Sequence, residues 1–367
     1  MVSKCLKCKI DNCHKHCVLN NNVREIIELY LKNELDFALD ELLKTNPIPY
    51  ITGSLCRAYC MQNCNNNKKQ LNVNFQEVEY ELGKRELLRT YNIKENGKKV
   101  YVVGSGPASL AAAILFRKDG YSVTIYEKLD NIGGLIYSAL PSFKLNQEYQ
   151  YLIRNYLNNL GIIVNCNYDV SREMIYKLSL DGLVIVGCGL EKAKTLNYTK
   201  EAEYAIDVLK KLKKDMSKIN EYEDIYIYGL GNVAVDLAVL FKTNNKNIEL
   251  IYHKPRELAR IEKKEYDELM SHNIKINFDT RVFDFENDYI IIERNKEYSK
   301  LKSNNLIVAI GQRPADEFNN LDIVDGYSKE LNAYFIGDIV ESNKNVTYAI
   351  SSSVSLYERI KNEKEKI

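Results

Sequence analysis

The chain has 367 residues, 45% of them hydrophobic, enough to bury the cores of two or three domains. Lys and Arg number 51 against 50 Asp and Glu, a formal net charge of +1, which excludes nucleic-acid or membrane binding driven by bulk charge. No apolar run approaches the ~20 residues of a membrane helix, and the N-terminal MVSKCLKCK lacks the apolar core of a secretory signal. A cytoplasmic protein with neither nucleic acid nor membrane as partner is the resulting expectation, and in that compartment nine cysteines favour metal or redox chemistry over disulfides.

Residues 1–96 read as a cysteine-rich helical region. Cys5, Cys8, Cys13 and Cys17 are spaced C-x2-C-x4-C-x3-C, and Cys56, Cys60 and Cys64 are spaced C-x3-C-x3-C. Between them, Leu19 to Leu43 carries apolar residues at helical spacing and predicts one helix. TNPIPYITG at 45–53 predicts a Pro- and Gly-punctuated loop, Asn65 to Lys69 a polar loop, and Val73 to Leu88 a helix in its later part. Zinc and iron–sulfur clusters both remain open for the seven thiols: C-x2-C is a zinc half-site, and seven thiolates plus one other ligand would hold two four-iron clusters. His14 and His16 read as solvated loop polarity. Cys166 and Cys188 stand alone and read as small buried core residues.

The stretch KVYVVGSGPASLAAAILFRKDGYSVTIYEKLDNIGG at 99–134 predicts strand, Gly-rich turn, helix and second strand. Gly104 and Gly106 are followed by Ser109 at the spacing G-x-G-x-x-S, the context of a dinucleotide fingerprint. Gly106 lets the backbone approach a pyrophosphate at a helix N-terminus, and Pro107, Ala108 and Ser109 lead from it into the apolar, helix-forming run Leu110 to Phe116. Glu127, at the end of the second strand, is placed to accept from a ribose. The extension through Lys128, Gly133, Gly134 and Leu135 to LPSFKL goes beyond a generic nucleotide fold and points to FAD. LVIVGC at 183–188 predicts a buried strand closing on Gly187.

A second fingerprint follows a strand at Ile225 to Tyr228: Gly229, Gly231, Asn232, Val233 and Ala234, then a helix and a strand at Ile248 to Tyr252. No acid ends that strand; His253, Lys254 and Arg256 stand there, and basic groups suit a 2′-phosphate. From about 298 the chain returns to the first pattern, with a strand at Leu306 to Ile310 before Gly311, another at Ala333 to Ile336 before Gly337 and Asp338, a short helix from Val346, and a frayed charged tail. The expected architecture is α/β: two nested Rossmann-like nucleotide-binding domains, for FAD (97–195 and 298–367) and NAD(P)H (196–297), preceded by an α-helical iron–sulfur domain (1–96).

Taken together, the coupling of the first cysteine run to TNPIPYITGSLCRAYCMQNC, with GSGPAS, YEK, IGG, LPSFKL, GLGNVAVD, AIGQRP and the terminal GD in that order, resembles the small (beta) subunit of NADPH-dependent glutamate synthase and its relatives. That group includes the N-terminal half of dihydropyrimidine dehydrogenase and the large subunit of NADH-dependent ferredoxin:NADP oxidoreductase. The resemblance covers nearly the whole chain and departs at Val18, Ser109, Val239, His253–Lys254 and Ser353–Val354. It implies two [4Fe–4S] clusters, one on Cys5, Cys8, Cys13 and Cys64, the other on Cys17, Cys56, Cys60 and Glu79, with Glu77 the second choice for the carboxylate. It further implies that electrons pass from NADPH, with NADH the alternative, through FAD and the clusters to a partner. That partner is a glutamate synthase large subunit or another electron-acceptor protein. Glu127 and Asp338 would hold FAD hydroxyls. The cofactors carry the chemistry, so no acid–base catalytic residue is expected.

Overall fold

The computed structural model describes all residues except 1–4, 6, 7, 10, 70–72, 147, 197–201, 319, 342–344 and 365–367, and omits the side chains of 68, 69 and 364. The chain divides into two compact units, residues 1–137, 144–190 and 316–367 in one and 138–143 with 191–315 in the other.

The first unit begins with helices α1 (Asn12–Lys15), α2 (Val23–Leu31), α3 (Leu35–Leu43), α4 (Pro49–Leu55), α5 (Tyr59–Gln62) and α6 (Phe75–Leu87). Ile26, Ile27, Leu39, Leu42, Val78 and Leu82 recur at helical spacing and close one buried core, to which Cys60 belongs. The single helix expected over 19–43 is two. Asn33 adopts φ 62°, a left-handed turn that Asn tolerates, and Lys32 to Glu34 bond back onto the end of α2. The loop expected at 45–53 is also corrected: Pro49 starts α4, its missing N–H costing nothing at a first helical position. Residues Asn65–Lys69 form a 3-10 turn instead of a loop.

Next come β1 (Lys99–Val103), α7 (Pro107–Lys118), β2 (Ser122–Tyr126), α8 (Leu135–Ser138), α9 (Tyr149–Leu160), β3 (Ile163–Asn165), α10 (Arg172–Ser179) and β4 (Leu183–Val186). The β-branched run of β1 is buried between β2 and β4, and both pairings are parallel, with Val100 opposite Val123 and Leu183.

In the second unit, β5 (Lys192–Ala193), β6 (Glu203–Tyr204), α11 (Ala205–Lys214), β7 (Ile225–Tyr228), α12 (Asn232–Thr243), β8 (Ile248–Ile251), α13 (Lys263–Ser271) and β9 (Lys275–Asn277) precede an antiparallel sheet of β10 (Thr280–Glu286), β11 (Tyr289–Arg294) and β12 (Glu297–Lys302). Then follow β13 (Leu306–Val308) and β14 (Gln312–Arg313). Among the described residues the main sheet is parallel in the order β6-β13-β7-β8-β9. β13 therefore belongs here, beside β7, and not to the first sheet. The return expected at 298 falls at 316, because Leu306 and Val308 are buried in one apolar cluster with Tyr228 of β7 and Ile251 of β8.

The chain then re-enters the first unit with β15 (Tyr327–Ser328), β16 (Ala333–Phe335) and α14 (Val346–Lys364), a helix of 19 residues and not a short one. β16 pairs parallel with β4 and completes the order β15-β16-β4-β1-β2-β3 among the described residues. β15 pairs antiparallel with β16 at the edge of this sheet, and in both units the parallel strands put helix N-termini at their carboxyl ends, where doubly wound folds take ligands. No helix among the described residues is long and apolar enough to cross a membrane.

Candidate functional site

In the first unit the turn after β1 has Gly104 at φ 91°, with its α-carbon against the carbonyl of Gly187, where a β-carbon would stand 2.8 Å from that oxygen. Gly106 caps α7 in extended conformation and Pro107 occupies the first turn, so the amides behind them open toward the carboxyl edge of the sheet. Ala108 packs under this turn, where a β-carbon on Gly337 would lie 3.1 Å away. The hydroxyl of Ser109 donates to the Gly187 carbonyl at 3.1 Å. Glu127 is buried; Ser105 donates its hydroxyl to one oxygen and Leu129 its amide, at 2.9 Å, to the other. Gly133 donates to the Ser105 hydroxyl at 2.9 Å, and Gly134 lies against Gly106. The loop carrying Lys128 and leading into α8 at Leu135 is thereby folded onto the Gly-rich turn. Asp338 follows Gly337, and burial raises its carboxyl from 3.8 to about 6. Gly311 falls in the second unit, where its carbonyl accepts from Lys194 at 3.0 Å.

The second turn repeats the first. Gly229 has φ 138° and a β-carbon there would overlap the Ala309 carbonyl. Gly231 caps α12, which opens with Asn232 and Val233. Beyond β8, His253 is largely exposed, and the partial desolvation of its ring, followed by the charges of Lys254 and Arg281, holds its pKa below the ordinary value. A cavity of about 230 Å³ is lined by Arg256, Ala259, Ile261, Lys263, Tyr266 and Phe278. The Arg256 guanidinium lies 4.9 Å over the Tyr266 ring. Lys254 is not among the lining residues; its carbonyl accepts from the Asp279 amide at 3.2 Å. Lys263, Tyr266 and Phe278 had no sequence signal of their own, since they lie seven to twenty-two residues beyond Arg256 and reach it only through α13 and β9.

Seven of the nine cysteines lie in the helical part of the first unit. Cys17, Cys56, Cys60 and Glu79 line one pocket, together with His16, Tyr59, Gln76 and Thr347. Cys5, Cys13 and Cys64 pack against the apolar core that contains Cys60. Cys8 is half-buried, and its carbonyl accepts from Arg24 at 3.1 Å. Burial, then a hydrogen bond to Asp11, pushes the Cys13 thiol up to about 12. Burial likewise raises Cys17, and raises Cys60 further, with Glu79 and the neighbouring thiols adding to the effect. Such thiols stay protonated until a cation displaces the proton, which is how metal binding couples to proton release. Burial also lifts Glu79 to about 7, against hydrogen bonds from Thr52, Asn46 and Asn21. Glu77, by contrast, sits in the exposed first turn of α6, bonding its own cap at Asn74. His14 and His16 each donate through Nδ1 to a backbone carbonyl, of Asn21 and Asn12. Cys166 and Cys188 are only partly buried, unlike the core residues expected; Cys166 accepts from Arg154 at 3.0 Å. Among the described residues no three Cys, His, Asp or Glu side chains are placed to hold a single metal ion. A four-iron cluster sits between its ligands and spaces them more widely, and the donor set of three thiols and one carboxylate around one pocket fits it.

Residues 98–352 match the pyridine nucleotide-disulphide oxidoreductases, and residues 2–86 match domain II of dihydropyrimidine dehydrogenase, a 4Fe-4S cluster domain. The glutamate synthase [NADPH] small chain of Mycobacterium tuberculosis is 31% identical over 194 residues, which span 50% of this chain and 40% of the relative. The NAD-dependent dihydropyrimidine dehydrogenase subunit PreT of Escherichia coli is 22% identical over 380 residues, 98% of this chain and 92% of that one. Among solved structures, FprA of M. tuberculosis in complex with NADPH has the same fold, with a TM-score of 0.57 at 17% identity over 73% of this chain and 86% of that one. The chain belongs to the pyridine nucleotide-disulphide oxidoreductase family, and a region that matches the 4Fe-4S domain of dihydropyrimidine dehydrogenase precedes it.

Proposed function

We propose that this chain is an electron-input subunit of the cytoplasm, taking electrons from NADPH and delivering them through FAD and two [4Fe–4S] clusters to a partner protein. The leading partner is a glutamate synthase large subunit. The observation that carries the reading is α14. Thr347, in its first turn, lines the pocket of Cys17, Cys56, Cys60 and Glu79. Ser353 of the same helix donates to the Ala108 carbonyl at 2.7 Å, and Ser352 accepts from the Gly337 amide at 2.8 Å. The cysteine pocket and the first Gly-rich turn are thus tied to one helix, six residues or about 9 Å apart along its axis.

In this reading Gly104, Gly106, Pro107, Ala108 and Ser109 cradle the FAD pyrophosphate, Glu127 and Asp338 accept from its hydroxyls, and Lys128, Gly133, Gly134, Leu135, Gly187 and Gly337 shape the rest of the site. Gly229, Gly231, Asn232 and Val233 cradle the NADPH pyrophosphate. Arg256, with Lys263 beside it, receives the 2′-phosphate, and His253 and Lys254 flank it. Cys5, Cys8, Cys13 and Cys64 would hold one cluster, Cys17, Cys56, Cys60 and Glu79 the other. When bound, the flavin exchanges a hydride for single electrons, which the clusters carry.

A second reading, a subunit of a dihydropyrimidine dehydrogenase-type assembly, is favoured by a match over 98% of this chain, against 50% for the glutamate synthase small chain. The test is anoxic. The isolated chain should hold about eight irons and eight labile sulfides and oxidise NADPH with an artificial one-electron acceptor. It should make no glutamate from glutamine and 2-oxoglutarate until a large subunit is added; rescue by a pyrimidine-reducing partner instead favours the second reading. Arg256→Ala should raise the NADPH KM about tenfold, because it removes one charge-assisted hydrogen bond to the phosphate, and leave NADH unchanged, whereas Lys254→Ala should have the smaller effect. Stoichiometric zinc without labile sulfide would overturn the cluster assignment.

A further inference from the structure

Helix α6 buries two carboxylates on one face, seven residues apart, and they are treated in opposite ways. Glu86 receives Tyr91 on both oxygens, Tyr156 on one, and the ammonium of Lys118 at 2.6 Å. Glu79 has no cationic partner among the described residues. Three neutral donors converge on its Oε1: Asn46 Nδ2 at 2.8 Å, Thr52 Oγ1 at 2.8 Å and Asn21 Nδ2 at 3.4 Å. None of these three bonds falls on Oε2. All four residues are at most 3% exposed. The donors are themselves fixed. The second proton of the Asn46 amide goes to Thr52 at 2.7 Å, Asn46 Oδ1 accepts from the Ile48 amide, and Asn21 Oδ1 accepts from Thr45. Thr52 can stand this close because Gly53 and Gly83 let α4 and α6 meet backbone to backbone; a β-carbon on Gly53 would be 2.9 Å from the Glu79 carbonyl carbon.

An ionised carboxylate buried without a cation is costly. Neutral donors crowded on one oxygen reduce that cost only in part. They hold the group rigid by one oxygen, and Glu79 lines the same pocket as Cys17, Cys56 and Cys60. We propose that Asn46 and Thr52 are positioning residues that engage one oxygen of Glu79 and present the other to the pocket, making Glu79 a single-oxygen ligand of the cluster held by Cys17, Cys56 and Cys60. The inference rests on the cluster assignment above. It gives TNPIPYITG at 45–53 a role, since hydrogen bonds to a ligand orient it and tune the potential of the metal group it holds.

The experiment uses the full chain, purified without oxygen with flavin and clusters in place. Thr52→Val keeps shape and removes the donor; Asn46→Ala removes the other short bond; Thr52→Ser keeps the hydroxyl. Each of the first two should shift the oxidised-to-reduced ratio of one cluster about tenfold, which is 59 mV for a one-electron couple, alter its EPR signal, and speed its loss to a chelator 10- to 100-fold. Flavin content and the second cluster should not change, and Thr52→Ser should restore the wild-type values. Wild-type potential and chelation rate in both Thr52→Val and Asn46→Ala would overturn the positioning role, as would loss of flavin together with both clusters in these variants, the mark of a merely architectural network. Glu79→Ala separates the two levels. If it leaves both EPR signals and potentials unchanged, the ligand assignment itself fails; if it changes one of them while Thr52→Val and Asn46→Ala do not, only the positioning role fails.

Discussion

Ser109 stands where the fingerprint usually has glycine or alanine, and the structure accommodates it through Gly187. The serine hydroxyl occupies the space a β-carbon on Gly187 would fill, and donates to that residue's carbonyl. Ser109→Ala should therefore cost about 1 kcal/mol in denaturant unfolding, the value of one buried hydrogen bond, and leave flavin bound. Gly187→Ala should cost more and reduce flavin retention, because the new methyl overlaps the Ser109 hydroxyl beneath the turn. Asp338 supplies a pH test. Its folded pKa is raised from 3.8 to about 6 by burial alone, so its ionisation opposes folding. The stability tied to the protonated form is complete below about pH 4 and is lost as pH rises to about 6; at one unit per 1.36 kcal/mol the loss is at most about 3 kcal/mol. Cofactor-free wild type should lose stability relative to Asp338→Asn across that window. A constant difference between the two from pH 4 to pH 7 would show that the carboxyl is not desolvated.

At the scale of elements, the cysteine-bearing helices and the strands and helices that carry the first Gly-rich turn are fastened at α6, α7 and α9. Glu86 of α6, Lys118 at the end of α7 and Tyr156 of α9 meet in one buried network, with Tyr91 from the connecting segment. Burial pulls the Lys118 ammonium below its ordinary value against the opposing field of Glu86. Lys118→Met should destabilise the protein by about 3–5 kcal/mol, since it strands a buried carboxylate; Lys118→Met with Glu86→Gln should recover much of that, and the double-variant comparison measures the coupling. None of this was readable from the residues in order. The strand–turn–helix units were, because their signals are local: β-branched runs, glycines at fixed spacing, and an apolar helix. The long-range partners were not. Leu306 to Val308 carry the apolar signature of a buried strand but nothing that says which sheet, and their place beside β7 is set by the chain between the two sheets. Asn33 broke a regular apolar period that pointed to one helix, since the period is blind to a left-handed turn that keeps both halves on the same core. Asn46 and Thr52 looked like turn residues because Pro and Gly surrounded them, and their common target lies 27 or more residues away.

For the whole molecule, the two Gly-rich turns lie in separate compact units, each built on its own sheet of mainly parallel strands. Each turn is also self-contained: Gly104 is locked against Gly187 and Gly229 against Ala309, both partners within the same unit. A defect in one turn should then leave the other intact. Gly229→Ala forces a residue with a side chain into φ 138° and against a backbone carbonyl, so the turn must open. The purified variant should keep its flavin absorbance, iron and labile sulfide, and dithionite should still bleach them, while NADPH no longer does. Gly104→Ala should do the converse, emptying the flavin site while NADPH still raises the melting temperature through the second unit. Stabilisation by NADPH at a hundredfold excess over its Kd is about 2.7 kcal/mol, well within reach of a thermal melt. If Gly229→Ala shed flavin as readily as Gly104→Ala, the two units would not fold independently, and the loss of NADPH-driven reduction could no longer be ascribed to the second turn.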